Sequence, residues 1–151
     1  MTPPKLPWDY PQPFTLELQA QAQDIDGLQH TNNAVYVRWC ERIGWAHSEA
    51  LGLSLADYQR LDRALAIRRG EYDYLLPTQL GQALCLGTWL FGGDDKLTME
   101  RRFQLIRLSD QATVLRGRWN LVCIELGSGR VRRMPPEFTQ IYLPAVVRPD
   151  G

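Results

Sequence analysis

The sequence predicts an α+β domain in which one curved antiparallel sheet of five strands covers a single long helix. Three observations support this fold class. An alternating strand pattern comes first, a long segment of helical spacing follows, and four apolar segments separated by turn residues come after it. The length of 151 residues is that of one domain with one core. We therefore expect a single domain over residues 14–151, preceded by an extended lead-in over residues 1–13.

The first 13 residues contain five prolines and therefore cannot form a helix. We expect this proline-rich lead-in to lie extended on the surface. From Phe14 to Gln23 apolar and polar residues alternate strictly, which is typical of a half-buried strand.

Apolar residues recur at helical spacing over residues 33–51, which predicts a long buried helix. Its N-cap is predicted among residues 31–33, and Gly52 is expected to end it. Gly44 lies inside the helix, where glycine costs about 1 kcal/mol relative to alanine. We interpret Gly44 as a point where the helix backbone approaches another element closely.

Four further strands are predicted over residues 65–75, 83–91, 97–107 and 113–126. Consecutive strands are expected to pair mostly antiparallel, because turn residues separate them. One sheet around one helix leaves a strand edge uncovered, so we expect a homodimer or a homotetramer that shares the sheet. In the third of these segments, one face combines Arg101 with Leu97, Met99, Phe103 and Leu105.

The composition is that of a globular protein with balanced charge. Seventeen Lys and Arg residues balance 17 Asp and Glu residues, so the basic excess that nucleic acid binding requires is absent. No apolar run approaches the roughly 20 residues that span a bilayer, and the N-terminus lacks the apolar core of a signal peptide. We expect a cytoplasmic protein with neither a membrane nor a nucleic acid partner. Cys40, Cys85 and Cys123 are expected to be buried free thiols.

Between the first strand and the helix, the polar segment over residues 24–36 contains almost every side chain of that region that could perform acid–base chemistry. Unpaired N–H groups at a helix start stabilise an oxyanion, and a carboxylate beside them suits acyl transfer. Asp26 would supply the nucleophile or base, and a backbone N–H near Asn33 the oxyanion donor. Thioester hydrolysis needs no metal, and Asp24, Asp26 and His30 lie too close together in sequence to favour a metal site. We predict neither a metal nor another cofactor.

The segment that begins at Asp26 resembles the D-x-x-G-H-x-N-N-x-x-Y signature of the 4-hydroxybenzoyl-CoA thioesterase family. Gln29 stands where the family usually has glycine, and Gly27 lies two residues earlier. The likeness extends over residues 14–143 through the order of strand, helix and four strands. The matching motif positions are Asp26, His30, Asn32, Asn33 and Tyr36.

This resemblance implies a hotdog fold and hydrolysis of an acyl-CoA, with acyl carrier protein thioesters as the nearest variant. It implies that Asp26 acts as nucleophile or general base, that the helix start donates to the oxyanion, and that the active site lies at a dimer interface. His30 either positions Asp26 or the water, or caps the helix. Asn33 is either the oxyanion donor or a helix cap, and Tyr36 either lines the acyl pocket or belongs to the core.

Arg68, Arg69 and Arg132 are candidates for contacts with the CoA phosphates, because guanidinium groups match phosphate oxygens bidentately. Arg130 and Arg133 share this interpretation with Arg132. The alternative is that these arginines are solvated charges that discourage aggregation at strand edges.

Two other functions compete with thioester hydrolysis. A non-catalytic module that binds acyl-CoA or acyl carrier protein would keep the groove without needing an acid at Asp26. A hydratase or dehydratase would place a histidine and an acid in a different arrangement, and no second cluster of this kind is present in the sequence. Asp24 and Asp26 also suit a turn, and we favour that role for Asp24. Asp26 stands at the motif spacing from His30, so we predict it to be the essential carboxylate.

Overall fold

The computed structural model describes residues 5–148, in which five strands and one long helix form an α+β domain. The strands are β1 (Phe14–Leu18), β2 (Arg63–Tyr74), β3 (Leu84–Gly92), β4 (Thr98–Arg107) and β5 (Ala112–Glu125). The helices are α1 (Asn33–Leu51), α2 (Leu55–Leu61) and α3 (Pro136–Tyr142). One antiparallel sheet has the spatial order β1-β3-β4-β5-β2. The predicted fold class is confirmed.

The connectivity of the sheet differs from the prediction at one strand. β3 pairs with β4 and β4 with β5, as expected for consecutive antiparallel strands. β2 does not pair with β3; it pairs with β5 at the edge of the sheet. Residues 75–83 connect β2 to β3 and are longer than the usual hairpin loop of about two to five residues. This connection passes the start of α1, where it helps to build the site described below.

The first strand ends at Leu18 rather than at the predicted Gln23. Its partner β3 begins at Leu84, directly opposite Leu18, and so offers no backbone hydrogen bonds beyond that point. The chain turns instead, because the Asp24 carboxylate accepts a hydrogen bond from the Gln21 N–H at 2.8 Å. A single 3-10 turn over Ala22–Asp24 results.

Helix α1 begins and ends where the sequence predicts. The Asn32 side chain accepts a hydrogen bond from the Ala34 N–H at 3.0 Å, and Gly52 ends the helix with a left-handed φ of 113°. The predicted close approach at Gly44 is also present. A Cβ there would lie 3.4 Å from Cζ3 of Trp119 and 3.7 Å from Nε of Arg101.

The two short helices were not predicted. α2 starts at a capping box in which the Asp57 N–H donates to the Ser54 hydroxyl at 3.2 Å and the Ser54 N–H to the Asp57 carboxylate at 2.9 Å. α3 starts directly after Pro135, with Pro136 as its first residue. Both helices have seven residues, so their apolar periodicity is too short to recognise, although the Ser54-x-x-Asp57 spacing was a readable signal.

The proline-rich lead-in covers the face of the sheet that lies opposite α1. Trp8 packs edge-on against Trp89 at 5.8 Å between ring centroids, and the indole N–H of Trp89 donates to the Pro11 carbonyl at 3.0 Å. A Cβ on Gly87 would lie 2.7 Å from Cζ3 of Trp8, so this position requires glycine. Residues 5–13 contain no helix. Residues 1–4 of the predicted lead-in and residues 149–151 of the predicted domain lie outside the described part of the chain.

Between residues 5 and 148, no helix is long and apolar enough to cross a bilayer. Cys40, Cys85 and Cys123 are buried and form no disulfide, as predicted. Burial raises the pKa of each thiol, which leaves all three protonated and unreactive at neutral pH.

Candidate active site

The start of α1 and the end of β2 line an open cleft of about 400 Å³. Asp26, His30, Asn33 and Tyr36 all contribute to its walls, together with residues 74–77. The structure therefore brings together the four predicted site residues of the motif.

Asp26 is half-buried and is fixed by the loop that precedes α1. Its Oδ1 accepts hydrogen bonds from the backbone N–H groups of Leu28 at 2.9 Å and His30 at 3.2 Å. The backbone N–H of Asp26 donates in turn to the His30 carbonyl at 2.8 Å. Its Oδ2 has no hydrogen-bond partner within residues 5–148. One carboxylate oxygen is thus anchored, and the other is free to accept a proton.

Gln29 stands where the signature has glycine, and it adopts a left-handed backbone conformation. Its φ of 65° places it in the left-handed region, where a residue with a side chain is disfavoured. The Gln29 N–H donates to the Asp26 carbonyl at 3.1 Å, which closes the loop. The turn between Asp26 and His30 therefore forms with glutamine at this position, at a cost in strain.

His30 contacts Asp26 through its backbone and not through its ring. The imidazole lines the cleft and has no hydrogen-bond partner within residues 5–148. The ring of His30 makes no hydrogen bond to Asp26, so it does not orient this carboxylate. The imidazole is free to contact a water molecule or a ligand in the cleft.

The start of α1 provides backbone donors at the same cleft. Asn32 is the N-cap and its side chain is occupied by the Ala34 N–H. Asn33 is the first helical residue, and its backbone N–H has no acceptor in the described part of the chain. An unpaired N–H at the positive end of a helix is suited to hold a developing negative charge.

Thr78 directly follows the residues 74–77 that line the cleft, and it connects them to Thr31 and Tyr36. Sequence reasoning missed it. This residue is fully buried, and its hydroxyl lies 2.7 Å from the Thr31 hydroxyl and 2.7 Å from the Tyr36 hydroxyl. Its carbonyl accepts a hydrogen bond from the Thr31 N–H at 2.8 Å. Thr78 lies in the connection between β2 and β3, more than forty residues from the motif, so no local pattern could reveal the contact.

The predicted phosphate-binding arginines lie away from the cleft. Arg68 and Arg69 lie at an irregularity in the pairing of β2 with β5, and Arg69 Nε is 2.8 Å from Glu71. Arg132 follows β5, with its Nε 3.6 Å from Glu125. None of the three lines the cleft within one copy of the chain.

Asp24 has a structural role, as expected. Its side chain accepts from the Gln21 N–H at 2.8 Å, and its carbonyl accepts from the Asn32 N–H at 2.8 Å. Among residues 5–148, no group of three His, Cys, Asp or Glu side chains is arranged to hold a metal ion.

Residues 20–141 match the family model of the thioesterase-like superfamily. The chain belongs to this superfamily. The match covers more than half of the chain and includes the Asp26 motif and all of α1. A search of curated proteins finds no match to the chain.

Solved structures of thioesterases share the fold. A 1,4-dihydroxy-2-naphthoyl-CoA thioesterase from Synechocystis, Slr0204, is 18% identical with a TM-score of 0.78, over 87% of this chain and 96% of its own. The protein SAV2348 from Staphylococcus aureus, solved in complex with CoA, is 19% identical with a TM-score of 0.81, over 92% and 89%. A 12:0-ACP thioesterase from Umbellularia californica is 13% identical with a TM-score of 0.81, over 89% of this chain and 54% of its own.

These similarities confirm the hotdog fold, and superfamily membership confirms the prediction of a thioester hydrolase. The narrower assignment to the 4-hydroxybenzoyl-CoA thioesterase family stays a prediction.

Proposed function

We propose that this member of the superfamily hydrolyses acyl-CoA at the start of α1, with Asp26 as the general base. The observation that supports this assignment is the joint placement of an anchored carboxylate with one free oxygen and an unpaired helix N–H on the walls of one cleft. The two groups supply what thioester hydrolysis requires, a base for water and a donor for the oxyanion.

In the proposed reaction, Oδ2 of Asp26 accepts a proton from a water molecule, and the water oxygen bonds to the thioester carbonyl carbon. The Asn33 N–H donates to the resulting oxyanion. The tetrahedral intermediate then collapses, the carbon–sulfur bond breaks, and the thiolate of CoA takes the proton from Asp26. The products are a carboxylic acid and the CoA thiol, with the base restored. His30 is assigned to position the water, because its ring lines the cleft without a partner in the described residues.

Tyr36 is proposed to line the site for the acyl group near the thioester. Its hydroxyl is fixed by Thr78, and its ring lies 6.1 Å from that of Tyr74 on β2. The two rings provide an apolar wall on the α1 side and the β2 side of the cleft.

A homodimer that pairs two copies of β2 is proposed to complete the site. One edge of β2 pairs with β5, and its other edge has no strand partner within residues 5–148. Arg132 lies at the far end of β2, because it shares Glu125 with Arg63. Eleven residues separate Arg63 from Tyr74, which corresponds to about 36 Å of strand. Antiparallel pairing of two copies would bring Arg132 of one copy near the cleft of the other.

This dimer proposal can be tested by analytical ultracentrifugation at micromolar concentration. We expect a species of at least twice 17.4 kDa. An exclusively monomeric protein with full turnover would contradict it. The same experiment distinguishes a homotetramer from a homodimer.

CoA is the proposed carrier and acyl carrier protein the alternative, since the similar structures include both a CoA complex and an ACP thioesterase. The test is thiol release from a panel that contains 4-hydroxybenzoyl-CoA, 1,4-dihydroxy-2-naphthoyl-CoA, dodecanoyl-CoA and dodecanoyl-ACP. Turnover of at least one CoA thioester is expected. Binding without turnover of any panel member would favour the non-catalytic module instead.

The proposed location is the cytoplasm. The three cysteines form no disulfide, and the reducing cytoplasm keeps thiols in this state.

A further inference from the structure

A second cavity, of about 270 Å³, lies between the C-terminal half of α1 and the sheet. It shares no lining residue with the Asp26 cleft. Asn33 and Gly44 are eleven residues apart on α1, which separates the two sites by about 16 Å. The groups that define the second cavity are Gly44, Ser48, Tyr58, Arg101, Trp119 and Tyr142.

Arg101 is a buried cation that has no carboxylate partner among residues 5–148. Its side chain lies on β4 and is only 4% exposed. Nη1 contacts Nδ1 of His47 at 2.9 Å and donates to the Thr88 hydroxyl at 3.2 Å. Between residues 5 and 148 no Asp or Glu carboxylate lies within 4.0 Å of the guanidinium, and neither Nε nor Nη2 has an acceptor. Three of its five N–H donors are therefore unused at the cavity.

His47 does not supply the missing negative charge. Burial and the charge of Arg101 lower the pKa of His47 to about 4, so its ring is neutral at pH 7. A neutral ring accepts the Arg101 hydrogen bond at Nδ1 and carries its own proton on Nε2. Burial also lowers the pKa of Arg101, to about 10, which leaves the guanidinium charged at neutral pH. A buried charge without an opposite charge is strongly unfavourable.

Three hydroxyl groups at the cavity form a chain with one hydrogen to spare. The Tyr142 hydroxyl lies 2.6 Å from that of Tyr58 and 3.0 Å from that of Ser48. Three hydroxyls have three hydrogens, and the two hydrogen bonds of the chain use two of them. One O–H is therefore available to an acceptor in the cavity, in addition to the free donors of Arg101.

We propose that this cavity binds a compact apolar carboxylate, whose carboxylate group pairs with Arg101 and accepts from the hydroxyl chain. The remaining walls are apolar and aromatic, with Trp119, Leu65 and Leu121 among them. A group the size of a water molecule occupies about 30 Å³. The cavity therefore accommodates on the order of nine non-hydrogen atoms. This is the size of benzoate or of a medium-chain fatty acid.

The mouth of the cavity is open and carries one carboxylate. Trp45 is 38% exposed and Ile67 46% exposed, and both line the cavity beside the exposed Glu41. Glu41 belongs to α1, one turn before Trp45, and forms no ion pair with Arg101. Its negative charge opposes the entry of an anion, so removing that charge should tighten binding.

The carboxylate has two possible sources. It is either a free carboxylic acid or the far end of a dicarboxylic acyl group whose thioester lies in the Asp26 cleft. Because the two cavities share no lining residue, a free acid is the expected ligand. Binding of a free acid does not depend on the proposed hydrolysis, whereas the dicarboxylic source rests on it.

The test is calorimetric titration of the full chain with benzoate and, as a matched neutral control, benzamide. We expect benzoate to bind at least about tenfold more tightly than benzamide, because the neutral amide cannot form an ion pair with the buried Arg101. Gly44→Ala should weaken benzoate binding about tenfold, because its Cβ fits beside Trp119 but occupies space next to Nε of Arg101. Glu41→Gln should tighten binding, and Asp26→Asn should leave it unchanged.

Equal affinity for benzoate and benzamide, or no binding of either at about 1 mM, would overturn the proposal. So would wild-type affinity in an Arg101→Gln variant with a native circular dichroism spectrum. If Arg101→Gln does not fold, the Gly44→Ala variant and the benzamide control still test the proposal. Comparing turnover of tetradecanedioyl-CoA, whose extended chain is long enough to span the about 16 Å between the sites, with that of tetradecanoyl-CoA identifies the source. A preference for tetradecanedioyl-CoA that Gly44→Ala abolishes would assign the site to the acyl group.

Discussion

The two ends of α1 carry two polar sites that differ in exposure, in origin and in how far the sequence reveals them. At the N-terminal end, Asp26 and Asn33 come from one short segment and line an open cleft. Towards the C-terminal end, Arg101 on β4 is buried among side chains from α1, α2, β2, β5 and α3. The reacting groups of the first site come from one loop and the helix start that follows it, whereas the second site forms only when the whole domain has folded.

This difference predicts what each site tolerates. Asp26 lies in an exposed loop, and an amide oxygen can replace the carboxylate oxygen that anchors it, so an isosteric change there should have little effect on the fold. Groups around Arg101 are held by buried side-chain contacts, so changes there also alter stability. The following predictions test that contrast.

Replacing the Asp26 carboxylate should have the largest effect. Asp26→Asn is expected to lower turnover by about 10²–10⁴-fold, the usual contribution of a positioned acid–base group, with an unchanged melting temperature. The amide oxygen can still accept from the Leu28 and His30 N–H groups. Asp24→Asn is the matched control and should change turnover much less. Equal losses in steady-state kinetics for the two variants would mean that Asp26 is the wrong residue or that the pair acts as a unit.

Removing the Thr78 hydroxyl should reduce stability. Thr78→Val leaves the buried hydroxyls of Thr31 and Tyr36 without their common partner. We expect the free energy of unfolding to fall by about 1–3 kcal/mol, measured by urea denaturation. Thr15→Val makes the same change at an exposed position of β1 and should stay within about 0.5 kcal/mol of wild type. A Thr78→Val protein as stable as the control would contradict the assignment of Thr78 as a structural anchor of the cleft.

The buried His47 should make the domain lose stability in mild acid. Its pKa is lowered from 6.5 to about 4 in the folded state, because burial and Arg101 disfavour its protonated form. As the pH falls through this interval, the unfolded chain binds a proton that the folded chain does not, so the free energy of unfolding decreases. Stability due to this group is complete above pH 6.5 and is lost towards pH 4.

The measurement is the urea midpoint at several pH values between about 4.5 and 7.5, which covers most of the interval between the two pKa values and the constant region above it. The His47→Gln variant should show a smaller decrease than wild type, because carboxylates elsewhere titrate equally in both proteins. An identical pH profile in the two proteins would show that His47 is not held neutral beside Arg101.

The smallest effect is expected for Gln29→Gly. Gln29→Gly removes the left-handed strain at φ 65° but increases the entropy of the unfolded chain, so stability should change by less than about 1 kcal/mol. Gln29→Val should destabilise by more than about 1 kcal/mol, since β-branched residues strongly disfavour this conformation. Thermal unfolding of the two variants gives the comparison. Equal stability of the Val and Gly variants would contradict the left-handed turn.

The parts of the fold that the sequence predicted are those with local causes. The bounds of α1 follow from Asn32 and Gly52, whose effects act within one helical turn. The position of β2 beside β5 depends on contacts between residues about fifty positions apart, and turn chemistry does not determine it. β1 was predicted too long because alternation continues to Gln23, whereas the pairing strand ends opposite Leu18.

The same distinction applies to the sites. The Asp26 cleft was predictable because its reacting groups occupy one motif, although the Thr78 anchor was not. The Arg101 cavity had a single sequence signal, a cation on the otherwise apolar face of β4. His47 stacks on Phe14 at 4.9 Å and contacts Arg101. Its partners lie on β1 and β4, and the helical period alone does not place them.

The central claim is that a water molecule activated by Asp26 attacks the thioester. Its most direct test is a single turnover with enzyme in excess in ¹⁸O-labelled water, followed by mass spectrometry of the acid product and of the peptide that contains Asp26. We predict that the label appears in the product and that Asp26 stays unlabelled. Label in Asp26 together with an unlabelled product would contradict the claim, because it would require attack by the carboxylate itself and opening of a mixed anhydride at the aspartyl carbonyl.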